Sequence, residues 1–147
     1  MSSATSDDFH TAATDLRLAT FRLARRLRSE RALDSMSDAQ FAVLGTLRMH
    51  GRATLGALAE REQVTAPSMS RTVSCLEEQG FVARVPDADD RRRVYIDITP
   101  EGRAVVADTI SRRDSALAEA LAELGFTAAE LDTIRKASDL MRKVAER

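Results

Sequence analysis

The sequence of 147 residues contains no tryptophan, a single cysteine and few aromatic residues of any kind. The one thiol, Cys75, excludes an internal disulfide and a metal cluster held by several cysteines. A charged share of 31% beside this low aromatic content is typical of a helix-rich soluble protein. The length is sufficient for one domain with a core of its own, or for one domain with helical extensions.

Long apolar runs and targeting signals are also missing. No apolar run approaches the roughly 20 residues that a membrane-spanning helix needs. The first ten residues are polar and acidic, without the basic start and apolar stretch of a secretory signal. We therefore expect a chain that makes no membrane contact and stays in the cytoplasm.

Motifs for catalysis and for cofactor binding are absent as well. The sequence has no glycine-rich phosphate loop, no nucleophile elbow, and no pair of carboxylates set among apolar residues. Its two histidines, His10 and His50, stand alone, without metal-ligand spacing. We expect neither an enzyme nor a bound metal or cofactor. The formal charge of −1 does not exclude nucleic acid, because a nucleic-acid binder needs a local basic face rather than a basic total.

Apolar residues recur at helical spacing towards both ends of the chain. Residues 9–27 carry two apolar stripes, which predict a helix with two buried sides. A long helix is predicted to begin at Thr99 and end at Gly125, and a last helix to begin at a capping box formed by Thr127 and Glu130. These terminal helices carry more apolar surface than a monomer needs, which favours packing against a second copy of the chain.

The middle of the chain contains three more helix starts and then a change of period. Ser37 and Gln40 form a capping box, and Thr54 and Thr65 are the N-caps of two short helices. The apolar period then falls from 3.6 residues to about 2 in "FVARV" and "VYIDI", which predicts an antiparallel hairpin around a polar loop. Two short helices followed by a hairpin are the elements of a winged helix-turn-helix.

The second short helix is the candidate recognition helix, which would lie in the major groove of DNA. Short hydroxyl side chains near its N-terminus would let the backbone approach phosphates and could hydrogen-bond base edges, with an arginine as the longer reader or phosphate clamp. The free N–H groups of its first turn would add a site for a phosphate. Helical spacing turns Ser68, Ser70 and Arg71 outward. With the cap residue Thr65, they are the DNA contacts predicted for this helix.

The hairpin tip, "PDADDRRRV", carries charges of both signs. Three consecutive arginines would supply the positive tip that a wing needs in a minor groove: Arg91, Arg92 and Arg93. Asp90 is predicted to hold the Arg92 side chain in place, two residues on and on the same side of the strand if the tip is extended. Asp87 and Asp89 are predicted to shape the turn through their own backbone.

The stretches "SDAQFAVLGTL", "LAEREQVTAPSMSRTVSCLEEQGFVAR" and "PDADDRRRVYIDITPEG" resemble the MarR family of bacterial transcriptional regulators. The resemblance covers nearly the whole chain, and its most specific part is Asp-Arg-Arg at 90–92 followed by Ile98, Thr99 and Gly102. It implies an obligate homodimer whose first, fifth and sixth helices interlock. It also implies two winged-helix lobes on successive major grooves of a near-palindromic duplex, and commonly a small anionic or phenolic effector that releases the DNA.

The predicted fold is mainly α with a small β-hairpin wing, in one domain over residues 1–147. A DNA-binding lobe at 37–99 lies between helical dimerisation regions at 1–36 and 100–147. We interpret the chain as a sequence-specific regulator of transcription that binds double-stranded DNA, most simply as a repressor. The alternative is a winged-helix module that binds proteins or coats chromosomes without sequence preference, and such a module would tolerate loss of the wing arginines.

Two further hypotheses concern smaller sites. An effector cleft is placed between the dimerisation helices and the lobe, at Phe21, Arg25, Phe41 and Leu44. Cys75 lies beside the apolar stripe of the recognition helix, which predicts a half-buried and unreactive thiol; the alternative, an oxidant sensor, needs a second cysteine or another placement.

Overall fold

A computed structural model describes residues 4–147 of the chain, and it contains six helices and three short strands over that range. The strands form one small sheet. In chain order the elements are α1 (Ser6–Arg28), α2 (Asp38–His50), β1 (Ala53–Thr54), α3 (Leu55–Arg61), α4 (Ala66–Glu78), β2 (Val82–Pro86), β3 (Val94–Ile98), α5 (Pro100–Glu123) and α6 (Ala128–Ala145).

The sheet has the order β1-β3-β2, and both of its pairings are antiparallel. The predicted hairpin runs in register from Val82 opposite Ile98 to Pro86 opposite Val94. The first strand, β1, was not predicted, because two residues are too few to show a period of two. The helices α3 and α4 with this sheet confirm the winged helix-turn-helix.

The core lies between α2, α3, α4, the sheet and one side of α5. Three apolar residues of α4 that the helical period turns inward, Met69, Val73 and Leu76, are all buried, as predicted. They pack with Leu44 and Leu47 of α2 in the same cluster. The core therefore fixes α4 by one side and leaves the opposite side free for a partner.

The chain divides into two compact units, the first ending at Arg113 and the second running from Asp114 to Arg147. The boundary falls inside α5. In the first unit, α1 buries no residue within the single chain, so burial of the two sides predicted for this helix would require a partner. In the second unit no residue is buried at all. Within residues 4–147, no helix combines the length and apolar character that crossing a membrane requires.

Three helices begin at capping boxes. The box at Ser37 and the box at Thr127 confirm the predictions, and a third, between Thr5 and Asp8, had not been identified. Backbone and hydroxyl hydrogen bonds from Thr127 hold the pKa of Glu130 below its ordinary value of 4.5. Those from Thr5 lower the pKa of Asp8 in the same way. In each box the hydrogen bonds favour the ionised carboxylate over the protonated carboxyl group, which is why the pKa is lowered.

We expect the α6 cap to weaken in acid. Because the folded state lowers the pKa of Glu130, its contribution to stability is fully present above pH 4.5 and is lost as the pH falls through the lowered value. Urea unfolding above and below pH 4.5 measures how much the unfolding free energy falls in acid. This fall should be smaller for Glu130→Gln than for the wild type. Glu146→Gln, a change beyond the end of the same helix, should retain the wild-type pH dependence. Equal profiles for the two variants would contradict a role of the cap.

Gly102 lies where the first turn of α5 crosses the start of the wing. A Cβ at this position would lie 2.3 Å from the Phe81 carbonyl oxygen and 2.9 Å from Ile98 Cγ1. Gly102→Ala should therefore lower the unfolding free energy by about 1–3 kcal/mol, the usual cost of overpacking. Gly45→Ala, inside α2 with nothing within 4 Å of its added Cβ, should be neutral or stabilising, and urea unfolding of both variants measures the difference.

Candidate nucleic-acid interface

The turn between α3 and α4 sets the start of the recognition helix. Gln63 takes a left-handed conformation with φ 53°, and the N–H of Val64 donates to the carbonyl of Ala59 at 3.0 Å. Thr65 then caps α4 by accepting from the N–H of Ser68 at 3.4 Å, and its hydroxyl donates to the Ser68 hydroxyl at 3.1 Å. The cap is as predicted, and it brings two hydroxyl groups together at the exposed N-terminus of the helix.

The outward side of α4 is polar and open. Thr65, Ser68 and Arg71 are exposed, and Ser70 is half-buried. Arg71 forms no ion pair with any residue of 4–147. A free guanidinium beside exposed hydroxyls and helix N–H groups suits contacts with phosphates and base edges.

The tip of the wing is a closed turn. The N–H of Asp87 donates to the Arg93 carbonyl at 2.9 Å, and the N–H of Arg93 donates to the Asp90 carbonyl at 2.9 Å. Two carboxylates fold back onto this backbone: Asp87 accepts from the N–H of Asp89 at 3.1 Å, and Asp90 accepts from the N–H of Arg92 at 3.1 Å. Short acidic side chains stabilise turns in this way.

The predicted contact between Asp90 and the Arg92 side chain is wrong. It assumed an extended tip, but residues 91 and 92 lie in the turn, and the Asp90 carboxylate binds the backbone N–H of Arg92 instead. The role predicted for Asp87 is confirmed, whereas the Asp89 carboxylate makes none of the hydrogen bonds found in the described part of the chain. Asp90 therefore shapes the turn rather than orienting a guanidinium.

The three tip arginines, Arg91, Arg92 and Arg93, are exposed, and none of their guanidinium groups forms an ion pair with a carboxylate of the described residues. The lobe at 37–99 has eight arginines, no lysine and nine acidic residues, so its own charge is −1. Because this net charge is negative, attraction of DNA must depend on where the arginines lie on the lobe. At the tip the carboxylates of Asp87 and Asp90 are turned to the backbone while the guanidinium groups remain free.

Two clefts border the aromatic ring of Phe41. One, of about 410 Å³, is lined by Phe41, Gly45, Arg48, Met49, Val106 and Ile110. The other, of about 260 Å³, is lined by Ala24, Leu27, Arg28, Asp38, Phe41 and Arg113.

Of the four residues predicted to line an effector cleft, only Phe41 does so. Leu44 is fully buried, which corrects its assignment, because its side chain belongs to the core cluster with Leu47 and Val73. Phe21 and Arg25 are exposed on α1 and line neither cleft.

Arg113 was not among the residues predicted from the sequence. Its guanidinium carbon lies 4.5 Å from the centre of the Phe41 ring, and its Nε donates to the Leu27 carbonyl at 3.2 Å. The second partner is 86 residues away in the chain, so no local pattern could reveal the contact. It ties the end of α1 to α2 and α5, beside the smaller cleft.

Cys75 is half-buried, as predicted. Its sulfur accepts from the side-chain amide of Gln40 at 2.9 Å and from that of Gln79 at 3.7 Å. The side-chain oxygen of Gln40 also accepts a hydrogen bond from the backbone N–H of Ser37 at 2.7 Å. The cap of α2 is thereby linked to the recognition helix, and the unreactive character of the thiol remains a prediction.

Comparison with known proteins supports this geometry. The MarR family model matches residues 36–94, most of the winged-helix lobe. An HTH-type transcriptional regulator of Mycobacterium bovis is 41% identical over 129 residues, which are 88% of this chain and 89% of the relative. The transcriptional repressor MdtR of Bacillus subtilis is 28% identical over 116 residues, 76% of this chain and 74% of the repressor.

The fold agrees with that of solved structures. A MarR family protein from Bacillus stearothermophilus superimposes with a TM-score of 0.83 at 21% identity, covering 99% of this chain and 100% of that protein. The match extends beyond the lobe to the flanking helices. With winged-helix geometry, a matching family model and a close relative along most of its length, the chain belongs to the MarR family of transcriptional regulators.

Proposed function

We propose that this regulator binds a specific, near-palindromic duplex as a homodimer and represses transcription from it. The observation that carries the proposal is that one lobe presents both an open recognition helix and a wing tip with three unpaired arginines. A helix in the major groove and a positive tip in the neighbouring minor groove can read one half-site together. A protein that binds the chromosome of a bacterium works in the cytoplasm.

The proposed contacts divide into two groups. Thr65, Ser68, Ser70 and Arg71 meet the major groove, where the hydroxyls bond phosphates or base edges and the arginine reads a base or clamps a phosphate. Arg91 and Arg92 enter the minor groove, and Asp90 maintains the turn that presents them. A second lobe, related by a two-fold axis, would contact the other half-site about one helical turn away.

We also propose that the protein is a repressor and that a small effector releases it from DNA. The relationship to MdtR, which is named a repressor, supports the first. The two clefts beside Phe41 support the second, because each joins an apolar floor to an arginine, Arg48 or Arg113. That combination suits a small aromatic carboxylate or phenol, and such compounds should release the duplex from the protein.

The test is selection of bound duplexes from a random library at near-physiological salt, followed by sequencing. A recovered palindrome with half-sites about one turn apart is the expected result. Weak binding of every duplex alike would overturn the proposal and favour the protein-binding or chromosome-coating alternative. The recovered duplex then serves as the probe for effectors and variants.

Asp90→Ala should weaken binding of that duplex although it removes a negative charge from the DNA-facing tip. The lost hydrogen bond to the N–H of Arg92 frees the turn, so the arginines lose more entropy when they bind. Asp89→Ala is the matched control, because it removes the same charge and leaves both turn hydrogen bonds in place. Fluorescence anisotropy should show weaker binding only for the first variant. Tighter binding by both would exclude a structural role of Asp90.

A further inference from the structure

An ion pair joins the wing to the recognition helix. Arg84 of β2 places its Nε 3.0 Å from the Glu77 carboxylate near the end of α4. Arg84 stands directly opposite Ile96, so its side chain leaves the sheet on the side that faces the core. Within residues 4–147 this is the one ion pair between α4 and the wing.

The pair lies where the hydrophobic support of the wing ends. Val82, Ile96 and Ile98 are buried at the base of the hairpin, whereas none of residues 83–95 is buried. Beyond Arg84 the hairpin therefore has no core to fix its direction. The ion pair between Arg84 and Glu77 therefore joins the wing to α4 at the level where this apolar support ends.

A second arginine supports the opposite face of the sheet. The guanidinium carbon of Arg52 lies 4.7 Å from the centre of the Tyr95 ring. In the sheet, Tyr95 pairs with Thr54 of β1 and with Val85 of β2. Val85 is the neighbour of Arg84 in the strand. The hairpin is thus contacted at adjacent positions on its two faces, by Glu77 at Arg84 and by Arg52 at Tyr95, just before it extends into solvent.

We propose that the pair Glu77–Arg84 is a positioning contact that fixes the angle between the wing and the recognition helix, and that Arg52 on the Tyr95 ring stiffens the sheet from its other face. The strand runs three residues from Arg84 to Asp87, about 10 Å at the usual rise, before the tip begins. A small rotation at Arg84 would therefore move the tip arginines relative to α4. Simultaneous contact with both grooves requires that this angle be held, so the inference rests on the proposed DNA-binding function.

The test compares Glu77→Ala with Glu78→Ala. Each removes one negative charge from the last turn of α4, but only Glu77 contacts Arg84. If charge alone acts, both variants bind the selected duplex equally or slightly more tightly. If Glu77 positions the wing, Glu77→Ala weakens binding by roughly two- to fivefold, the range of a partly exposed ion pair, and Glu78→Ala does not.

A second comparison separates positioning from a general structural effect. In the Arg91→Ala/Arg92→Ala protein the wing contributes little, so Glu77→Ala and Glu78→Ala should then bind alike. On the other face, Tyr95→Phe keeps the aromatic ring under Arg52 and should bind as the wild type does, whereas Tyr95→Leu should bind more weakly.

The outcomes are distinguishable. Weaker binding for Glu77→Ala that disappears in the Arg91→Ala/Arg92→Ala background supports the inference. Equal behaviour of the two glutamate variants in the otherwise wild-type protein, or a difference that persists in that background, overturns it while the DNA-binding function stands. If the wild-type protein selects no duplex, the proposed function is wrong and the positioning role is overturned with it.

Discussion

Arg92→Ala is expected to weaken binding of the selected duplex by about 1–3 kcal/mol, or roughly 5- to 150-fold. Arg92 is exposed and lies in the turn, and its guanidinium has no carboxylate partner among the residues described. No ion pair has to be broken before it contacts DNA, so the full value of its charge-assisted hydrogen bonds is available for binding. The turn also holds its backbone, because Asp90 accepts from its N–H.

The salt dependence of binding distinguishes the kinds of contact that Arg92 can make. Loss of a phosphate contact lowers the slope of log affinity against log salt by about one unit and weakens all sequences alike. Loss of a groove contact weakens the selected duplex more than a scrambled one. Arg112→Ala is the control, since this arginine is exposed on α5 and paired with Asp108 at 3.2 Å. If both variants bind equally well, the wing tip does not take part.

The sequence predicted the lobe well because its signals are local. Thr54, Thr65 and Ser37 cap the helices that they were expected to cap, and the change of apolar period marks the hairpin. These features depend on residues within one turn of each other, which a sequence shows directly. The strand β1 escaped because its two residues take their conformation from pairing with β3 rather than from any pattern of their own.

The site was predicted less completely, and its errors have physical causes. The Asp90 assignment failed because spacing of two residues brings side chains together only on an extended strand, and the turn prevents that. Leu44 was predicted to line a cleft, but it is buried in the core. Helical spacing shows which side of a helix is apolar, and it cannot distinguish a residue that lines a cleft from a residue in the core below. The contacts of Arg113 and Arg84 depend on tertiary packing between distant segments, for which one sequence carries no local signal.

The helices at the ends of the chain contain the clearest sign of an absent partner. Leu140 and Val144 of α6 are 62% and 67% exposed, and Phe9 of α1 is 66% exposed. The second unit, residues 114–147, buries no residue. Two helices without a core are not stable in water, since helices in proteins depend on packing of their apolar faces. We therefore propose that a second copy covers these faces, as the family resemblance implies.

Leu140→Glu/Val144→Glu should convert the proposed dimer to a monomer. Each protomer would lose two apolar side chains worth roughly 1.5–3 kcal/mol each on burial, and would place two carboxylates where no partner is provided. We expect the dissociation constant of the dimer to rise by more than about 100-fold, which sedimentation velocity over a concentration series measures. Lys143→Glu changes the charge by the same two units from the polar side of α6 and should leave the dimer intact.

Loss of the dimer should also abolish tight binding to the palindrome. Two linked lobes bind the second half-site at high effective concentration, an advantage of about 10²- to 10⁴-fold that a monomer lacks. The double variant should therefore bind the full palindrome little better than a single half-site, while the wild type and Lys143→Glu retain the difference. If the double variant is monomeric and still prefers the palindrome as strongly, the two lobes do not act together and the homodimer is not the DNA-binding form. If it remains dimeric, the partner surface lies elsewhere than on this face of α6.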